Sequence, residues 1–372
     1  MVALAMCDPS SMKCALLLCA MASSLHAETG SLTIHRILHA VGEERYEVVP
    51  AASGVTLHTV FEYSDRGTKH TATADLSTTL DGTPINLEIR EPRKSVEVQK
   101  TGATVTEDTT TRTFSPPERY FTVFGPFPFA VQMMMVRYWK AHGKPAKLPV
   151  LRQSPNATPI EMALVGHDSI VVDGHTVLLD RYTIANLMFG REVLWMNAHD
   201  DLAAAMTFAG GLPMEAVRTE YESALLQLYR AGVAQEMADL AALAREAPAE
   251  RRGDFAIMGA RLIDATGAAP VEDSVVIVRG RRIAAAGPRG VVAIPSGMPV
   301  VDAKGKSLLP GLWEMHAHFS GVEFGPALLA AGITTARDCG GEFDFLVAQR
   351  DALNKRGRPR PAAAAGRPGG RR

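Results

Sequence analysis

Hydrophobic and polar positions alternate through much of residues 31–195, where Thr, Val, Ile and Tyr are common. Val55–Tyr63 and Ser95–Val105 alternate loosely at period two, which predicts strands with one buried and one solvent-facing side. Asp65-Arg66-Gly67, Asp81-Gly82, Gly102 and Asp173-Gly174 supply the turns between them. Short polar turns favour an antiparallel sheet, because parallel neighbours need longer crossovers. The pattern breaks at Phe114–Lys147. There Pro116-Pro117, Pro126 and Pro128 interleave with Phe121, Phe124, Phe127 and Phe129, and Met133-Met134-Met135 and Tyr138-Trp139 follow. This stretch predicts a helix. Its Met and aromatic positions could line an apolar ligand pocket, but at helical spacing such residues are more often core.

Residues 198–247 read as helical: Leu225, Leu228, Ala231 and Met237 recur at helical spacing and Ala is frequent. Pro248 ends that pattern and Glu250–Asp254 is a charged linker. Beyond it the period changes again. Phe255–Ile263, Ser274–Arg279, Arg282–Gly287 and Met298–Asp302 are short strands joined by Gly, Asp and Pro turns. Ser307–His318, a helical stretch over Val322–Ala331, a strand over Ile333–Asp338 and a helix over Phe343–Asn354 then predict βαβα and a parallel sheet. The expected fold is an α+β N-terminal domain, an antiparallel sheet plus helices, over 28–197. A helical segment and linker follow over 198–250, then β segments over 251–307 and a βαβα unit over 308–354.

Composition sharpens both ends. Residues 355–372 carry six arginines and one lysine and no large apolar side chain, so they are expected to be a disordered basic tail. They read as out-of-frame translation, with a polyanion-binding arm as the alternative. No aromatic residue there could stack bases. At the other end, Lys13 precedes the apolar run Cys14–Ala22, and Ala20-Met21-Ala22 fits a small-residue cleavage site. Residues 1–27 are expected to be a signal peptide with Met12 as the better start, placing the protein in the periplasm or outside the cell. The apolar run is too short to span a bilayer, and no later segment reads as transmembrane. Three of four cysteines, Cys7, Cys14 and Cys19, fall in this leader. Only Cys339 remains, which excludes a disulfide framework and a cysteine-based zinc site. The net charge of −1 gives no field for nucleic acid.

The stretch Leu308-Leu309-Pro310-Gly311-Leu312-Trp313-Glu314-Met315-His316-Ala317-His318 carries the chemistry. On a strand, residues two apart share a face, so His316 and His318 can aim both imidazoles at one metal ion. Two histidines alone are a weak motif, since catalytic zinc usually has three protein ligands and a water.

The flanks add weight. Phe255–Asp264, Val275-Val276-Ile277, Arg282–Gly287, Val301–Lys306, Leu309–Trp313, His316-x-His318 and Ala331–Asp338 occur in order. Together they closely resemble the front of the amidohydrolase superfamily, nearest its imidazolonepropionase-like and prolidase-like metal-dependent hydrolases. The resemblance covers residues 255–354. It implies a partial amidohydrolase fold: β-sandwich strands over 251–307 and the first two βα units of a TIM-like (β/α)8 barrel over 308–354. It also implies that His316 and His318 hold a divalent metal, zinc by first expectation, at the end of the first barrel strand. The metal would activate water against a C–N bond of a small amide or peptide-like substrate.

The family's later ligands, a bridging carboxylate, two histidines and an aspartate, have no match among residues 319–372, none of which is histidine. No catalytic residue is assigned; Asp338 ends the second strand without being the expected base. The chain therefore reads as C-terminally truncated and inactive as it stands, with the barrel portion needing another chain to complete it. The alternative is an envelope binding module in which the N-terminal β domain functions alone. His142, His167, His175 and His199 are expected to be surface or capping residues.

Overall fold

The computed structural model describes residues 27–99, 102–115, 119–151, 158–207, 213–246, 253–319, 321–354 and 362–365. The leader up to His26 and most of the basic tail lie outside these residues. Eight strands open the chain: β1 (Glu28–Arg36), β2 (His39–Ala51), β3 (Gly54–Asp65), β4 (Thr68–Thr79), β5 (Pro84–Glu91), β6 (Lys94–Gln99), β7 (Gly102–Glu107) and β8 (Thr110–Phe114). The short strands β9 (Phe121–Thr122) and β10 (Val150–Leu151) flank helix α1 (Phe129–Ala141) and pair in parallel. Five more strands follow: β11 (Glu161–Val172), β12 (His175–Ala185), β13 (Arg191–Met196), β14 (Leu202–Thr207) and β15 (Met214–Arg218). All but β9 and β10 join one antiparallel sheet of thirteen strands, with β15 paired to β1 so that the two halves meet.

Alternation is clearest in β4, where Ala72, Ala74, Leu76 and Thr78 are buried and the residues between them are not. Ala72, Ala74 and Leu76 share a core with Leu57 and Phe61 of β3, Leu87 and Ile89 of β5, and Leu194 and Met196 of β13. The inner face of the sheet curls around α1, which touches both β3 and β14. That is why the helix is buried almost all round, with Phe129, Met133, Met134, Met135 and Trp139 in the core. The helix has no cap of its own. Instead Glu44 of β2 reaches across the core and accepts the Phe129 and Ala130 N–H groups at 2.7 and 2.9 Å, and the Thr59 hydroxyl at 2.8 Å. A buried carboxylate on the first N–H groups of a helix satisfies orphan donors and the helix dipole together. Near the other end, Arg137 forks onto Glu28 with both contacts at 2.9 Å.

The sheet extends further than the sequence pattern predicts. Leu202–Arg218, expected to be helical, holds β14 and β15, and helix α2 (Leu225–Glu246) begins only after a 3-10 turn. Every residue of β14 and β15 is buried. Their outer face is covered as well as their inner one, so period two vanishes and Ala203-Ala204-Ala205 imitates a helix. The large sheet thus runs on past residue 197 to Arg218.

A second, five-stranded sheet holds β16 (Phe255–Leu262), β17 (Val271–Arg279), β18 (Arg282–Pro288), β19 (Val300–Asp302) and β20 (Ser307–Leu308). Its order is β18-β17-β16-β19, with β20 also pairing β16. It supplies a single layer, packed on Ala256, Val275 and Ile277. Next come β21 (Leu312–Ala317), α3 (Phe324–Ala330), β22 (Ile333–Asp338) and α4 (Phe343–Asn354). Here β21 and β22 are parallel. The Pro310-Gly311 entry to β21 has a steric reason: a Cβ on Gly311 would lie 2.1 Å from the Thr334 hydroxyl oxygen.

Two expectations for this segment are corrected. The basic tail was expected to be disordered throughout, yet Ala362–Ala365 forms β23, a third parallel strand on β22. Strand addition uses backbone groups, so four uncharged alanines can pair at an open edge without a core-forming side chain. The βαβ unit was also expected to lack cover unless another chain supplied it. One side is covered from within the chain: Phe319, Ala336, Phe345 and Leu346 pack with Leu228 and Tyr229 of α2 and with Val193, Trp195, Ala204 and Val217 of the large sheet. Polar contacts seal the junction: Arg191 pairs with Glu323 at 3.2 Å, and the Val322 N–H reaches Glu236 at 3.3 Å. The described residues give three parallel strands and no closed barrel.

Four buried carboxyls are pushed above the usual range mainly by desolvation: Glu44 and Glu215 to about 7, Glu192 and Glu236 to about 8. Glu323 and Asp239 push Glu236 further in the same direction. Folding holds protons on these groups that the unfolded chain releases near 4.5, so their stabilisation is full below about 4.5 and is lost progressively as pH climbs from there to about 8. Calorimetry across this range is expected to show a falling melting temperature, with a shallower slope in Glu236→Gln; an unchanged slope would refute the assignment. Glu44→Ala strands two helix N–H groups and is expected to lose about 1–3 kcal/mol in urea unfolding.

Candidate metal centre

His316 and His318 sit at the C-terminal end of β21, the end where parallel strands present ligands. His316 is exposed and His318 half-buried. Their ring centres are 5.3 Å apart, with the ring planes at 72°. A zinc–imidazole bond of about 2 Å places each ring centre roughly 3 Å from the ion, so two rings on one tetrahedral ion stand about 5 Å apart. The observed spacing matches that distance.

The His318 ring is oriented by its partner. Its Nδ1 lies 2.9 Å from the Gly340 carbonyl oxygen. A carbonyl only accepts, so Nδ1 carries a hydrogen, and the neutral form of the ring has its lone pair on Nε2. This is the arrangement of metal-ligating histidines, whose second nitrogen donates to a carbonyl or carboxylate. On the His316 side the backbone is held by its own N–H, which donates to Glu314 at 2.8 Å.

Asp338 ties this corner together. Both its oxygens are taken, one by the Phe319 N–H at 2.6 Å and the other by the Gly340 N–H at 2.9 Å. The first bond fixes the residue after His318; the second fixes the residue whose carbonyl orients its ring. Burial raises the Asp338 pKa, while those two N–H donors and nearby His318 hold it down. Sequence reasoning found the residue but not this role, because its partners are backbone groups from two different loops.

Among the described residues no group of three or more His, Cys, Asp and Glu is placed to hold a metal ion. The histidine pair thus offers two candidate ligands, without a third beside them among the described residues. Cys339, exposed, points its thiol at the Met315 carbonyl. The other histidines lie far along the chain: His142 N–H closes the C-terminus of α1 on the Tyr138 carbonyl, and His167 pairs with Asp180 at 2.8 Å. His175 and His199 are exposed.

No protein-family model matches the chain. An N-acyl-D-aspartate deacylase of Alcaligenes xylosoxydans xylosoxydans is 42% identical over 94 residues, which make up 24% of this chain and 18% of the deacylase. Molinate hydrolase shares 22% identity at a TM-score of 0.27, over 31% of this chain and 30% of that one. A Xaa-Pro dipeptidase with bound methionine in its active site shares 19% at 0.28, over 30% and 33%. A β-barrel-like protein of a domain of unknown function from Brucella abortus shares 14% at 0.32, over 52% of this chain and 95% of that one. These scores are too low to establish a shared fold. The chain spans less than a fifth of the deacylase and about a third of the two hydrolase structures. The match to the deacylase is in keeping with the sequence resemblance.

Asp338→Ala is expected to weaken zinc binding roughly 10–100-fold, the usual effect of losing a group that orients a ligand. A chelator-competition titration measures it; unchanged affinity would show that Asp338 does not position His318.

Proposed function

We propose that this chain carries the first half of a divalent-metal site of amidohydrolase type, with His316 and His318 as ligands and zinc as the preferred ion. The observation that carries this reading is the His318 ring, held by Gly340 so that its free lone pair lies on the side away from the backbone contact, beside a second imidazole at ligand spacing. Resemblance of residues 255–354 to amidohydrolases and the 42% identity to a deacylase support the reaction class, hydrolysis of an amide or cyclic-amide C–N bond in a small or peptide-like substrate. A bound divalent ion supplies Lewis acidity there and lowers the pKa of water. The chain's own part is to hold the His318 ring oriented beside His316.

Turnover needs more than this. Catalytic zinc usually takes three protein ligands and a base nearby, and Asp338 is committed to backbone donors. The chain by itself is therefore proposed to bind metal without hydrolysing amides. The leader pattern at Lys13–Ala22 supports export to the periplasm or beyond. A second reading, the large β region acting alone as an envelope binding module, draws support from that region having a core of its own.

Metal analysis of the purified full chain, reloaded with zinc and dialysed, tests the first reading. One zinc per chain is expected, with at least tenfold weaker retention in His316→Ala. Retention undiminished in a His316→Ala, His318→Ala double variant would overturn it.

A further inference from the structure

The inner face of the large sheet is filled by α1 along most of its length, but filling stops just before the helix begins. There a cleft of about 590 Å³ opens between the β3–β4 hairpin, the β5–β6 and β7–β8 turns and the loop carrying Phe127. That volume lies in the range of small-molecule sites. Its floor is aromatic. Phe61 and Phe127 stack at 4.9 Å with planes 5° apart, and Tyr63 stacks on His70 at 4.6 Å. Phe127 is the one phenylalanine of the Pro/Phe stretch 121–129 that stays half-exposed; Phe121, Phe124 and Phe129 are buried.

Its rim carries both signs of charge. Arg93 stands on the β5–β6 turn, and Glu107 and Asp108 on the neighbouring β7–β8 turn, all exposed. The two turns are tied together, since the Asp108 N–H donates to the Arg93 carbonyl at 2.8 Å. The other rim cations are engaged, Lys69 with Glu62 at 2.8 Å and Lys94 with Glu91 at 3.8 Å. None of Arg93, Glu107 and Asp108 forms a side-chain ion pair among the described residues. A cation and two anions, uncommitted and held on adjoining turns above a π-stacked floor, match a ligand with opposite charges at its two ends and an apolar body.

We propose that this cleft binds short peptides bearing a large apolar or aromatic side chain. The carboxylate faces Arg93, the ammonium faces Glu107 and Asp108, and the side chain lies against Phe127, which Phe61 backs. The proposal stands on the β region alone and does not draw on the metal pair. A charge-assisted contact to Arg93 and an aromatic contact to Phe127 make separable contributions.

Calorimetric titration of the full chain with phenylalanyl-phenylalanine tests this, with its C-terminal amide, its N-acetyl derivative and glycylglycine as controls. Saturable binding of the dipeptide is expected, weakened at least tenfold by amidation, by acetylation and by Phe127→Ala. Arg93→Ala, on an exposed turn where folding is not at stake, is expected to remove the difference between acid and amide. No saturable binding, equal binding of glycylglycine, or indifference to both Arg93→Ala and Phe127→Ala would each overturn the proposal.

Discussion

Burial of the outer face of β11–β15 is the constraint on which the rest of the structure depends. That face is apolar at Ile170, Val193, Trp195 and Val217. It cannot face water at its centre, and the inner face is already spent on α1. The segment 313–354 has the opposite deficit, a small parallel sheet with helices that need something to pack on. Each solves the other's problem through α2, which inserts Leu228 and Tyr229 between them. The histidine pair inherits its position from this junction, since Phe319, packed there, directly follows His318.

The junction also explains where polar groups are spent. Trp195, fully buried, donates its indole N–H to Asp168 at 2.7 Å. Glu236 and Glu323 take a backbone N–H and an arginine across the seam. Buried carboxyls of this kind are stabilised by keeping their protons, which makes the packing of the two units responsive to pH. Much of β21 stays uncovered among the described residues: Leu312, Trp313 and Met315 remain exposed.

Much of this was legible in the sequence and some was not, for identifiable reasons. Alternation over Val55–Tyr63 and the Gly-containing turns gave the β meander, and the Met-rich helix fell where its spacing placed it. Strands β14 and β15 were hidden because burial on both faces erases the period that reveals strands. The β1–β2 turn was hidden because it uses Ile37 and Leu38 at φ 51° and 62°, where Asn-Gly would have been the expected signal. Leu38 tolerates that conformation because it packs at the junction and donates its N–H to Glu215 at 3.1 Å. At the candidate site, the ligand pair was readable from His-x-His, whereas the roles of Gly340 and Asp338 depend on loops that only folding brings together.

Nitrogen-15 NMR of the histidine rings during a zinc titration tests the metal site most directly, because it reports each imidazole nitrogen separately. His318 is expected to show a protonated Nδ1 before zinc is added, and zinc is expected to shift Nε2 of His318 together with one nitrogen of His316. A His318 with its proton on Nε2, or zinc shifts confined to His142, His167, His175 or His199, would contradict the assignment.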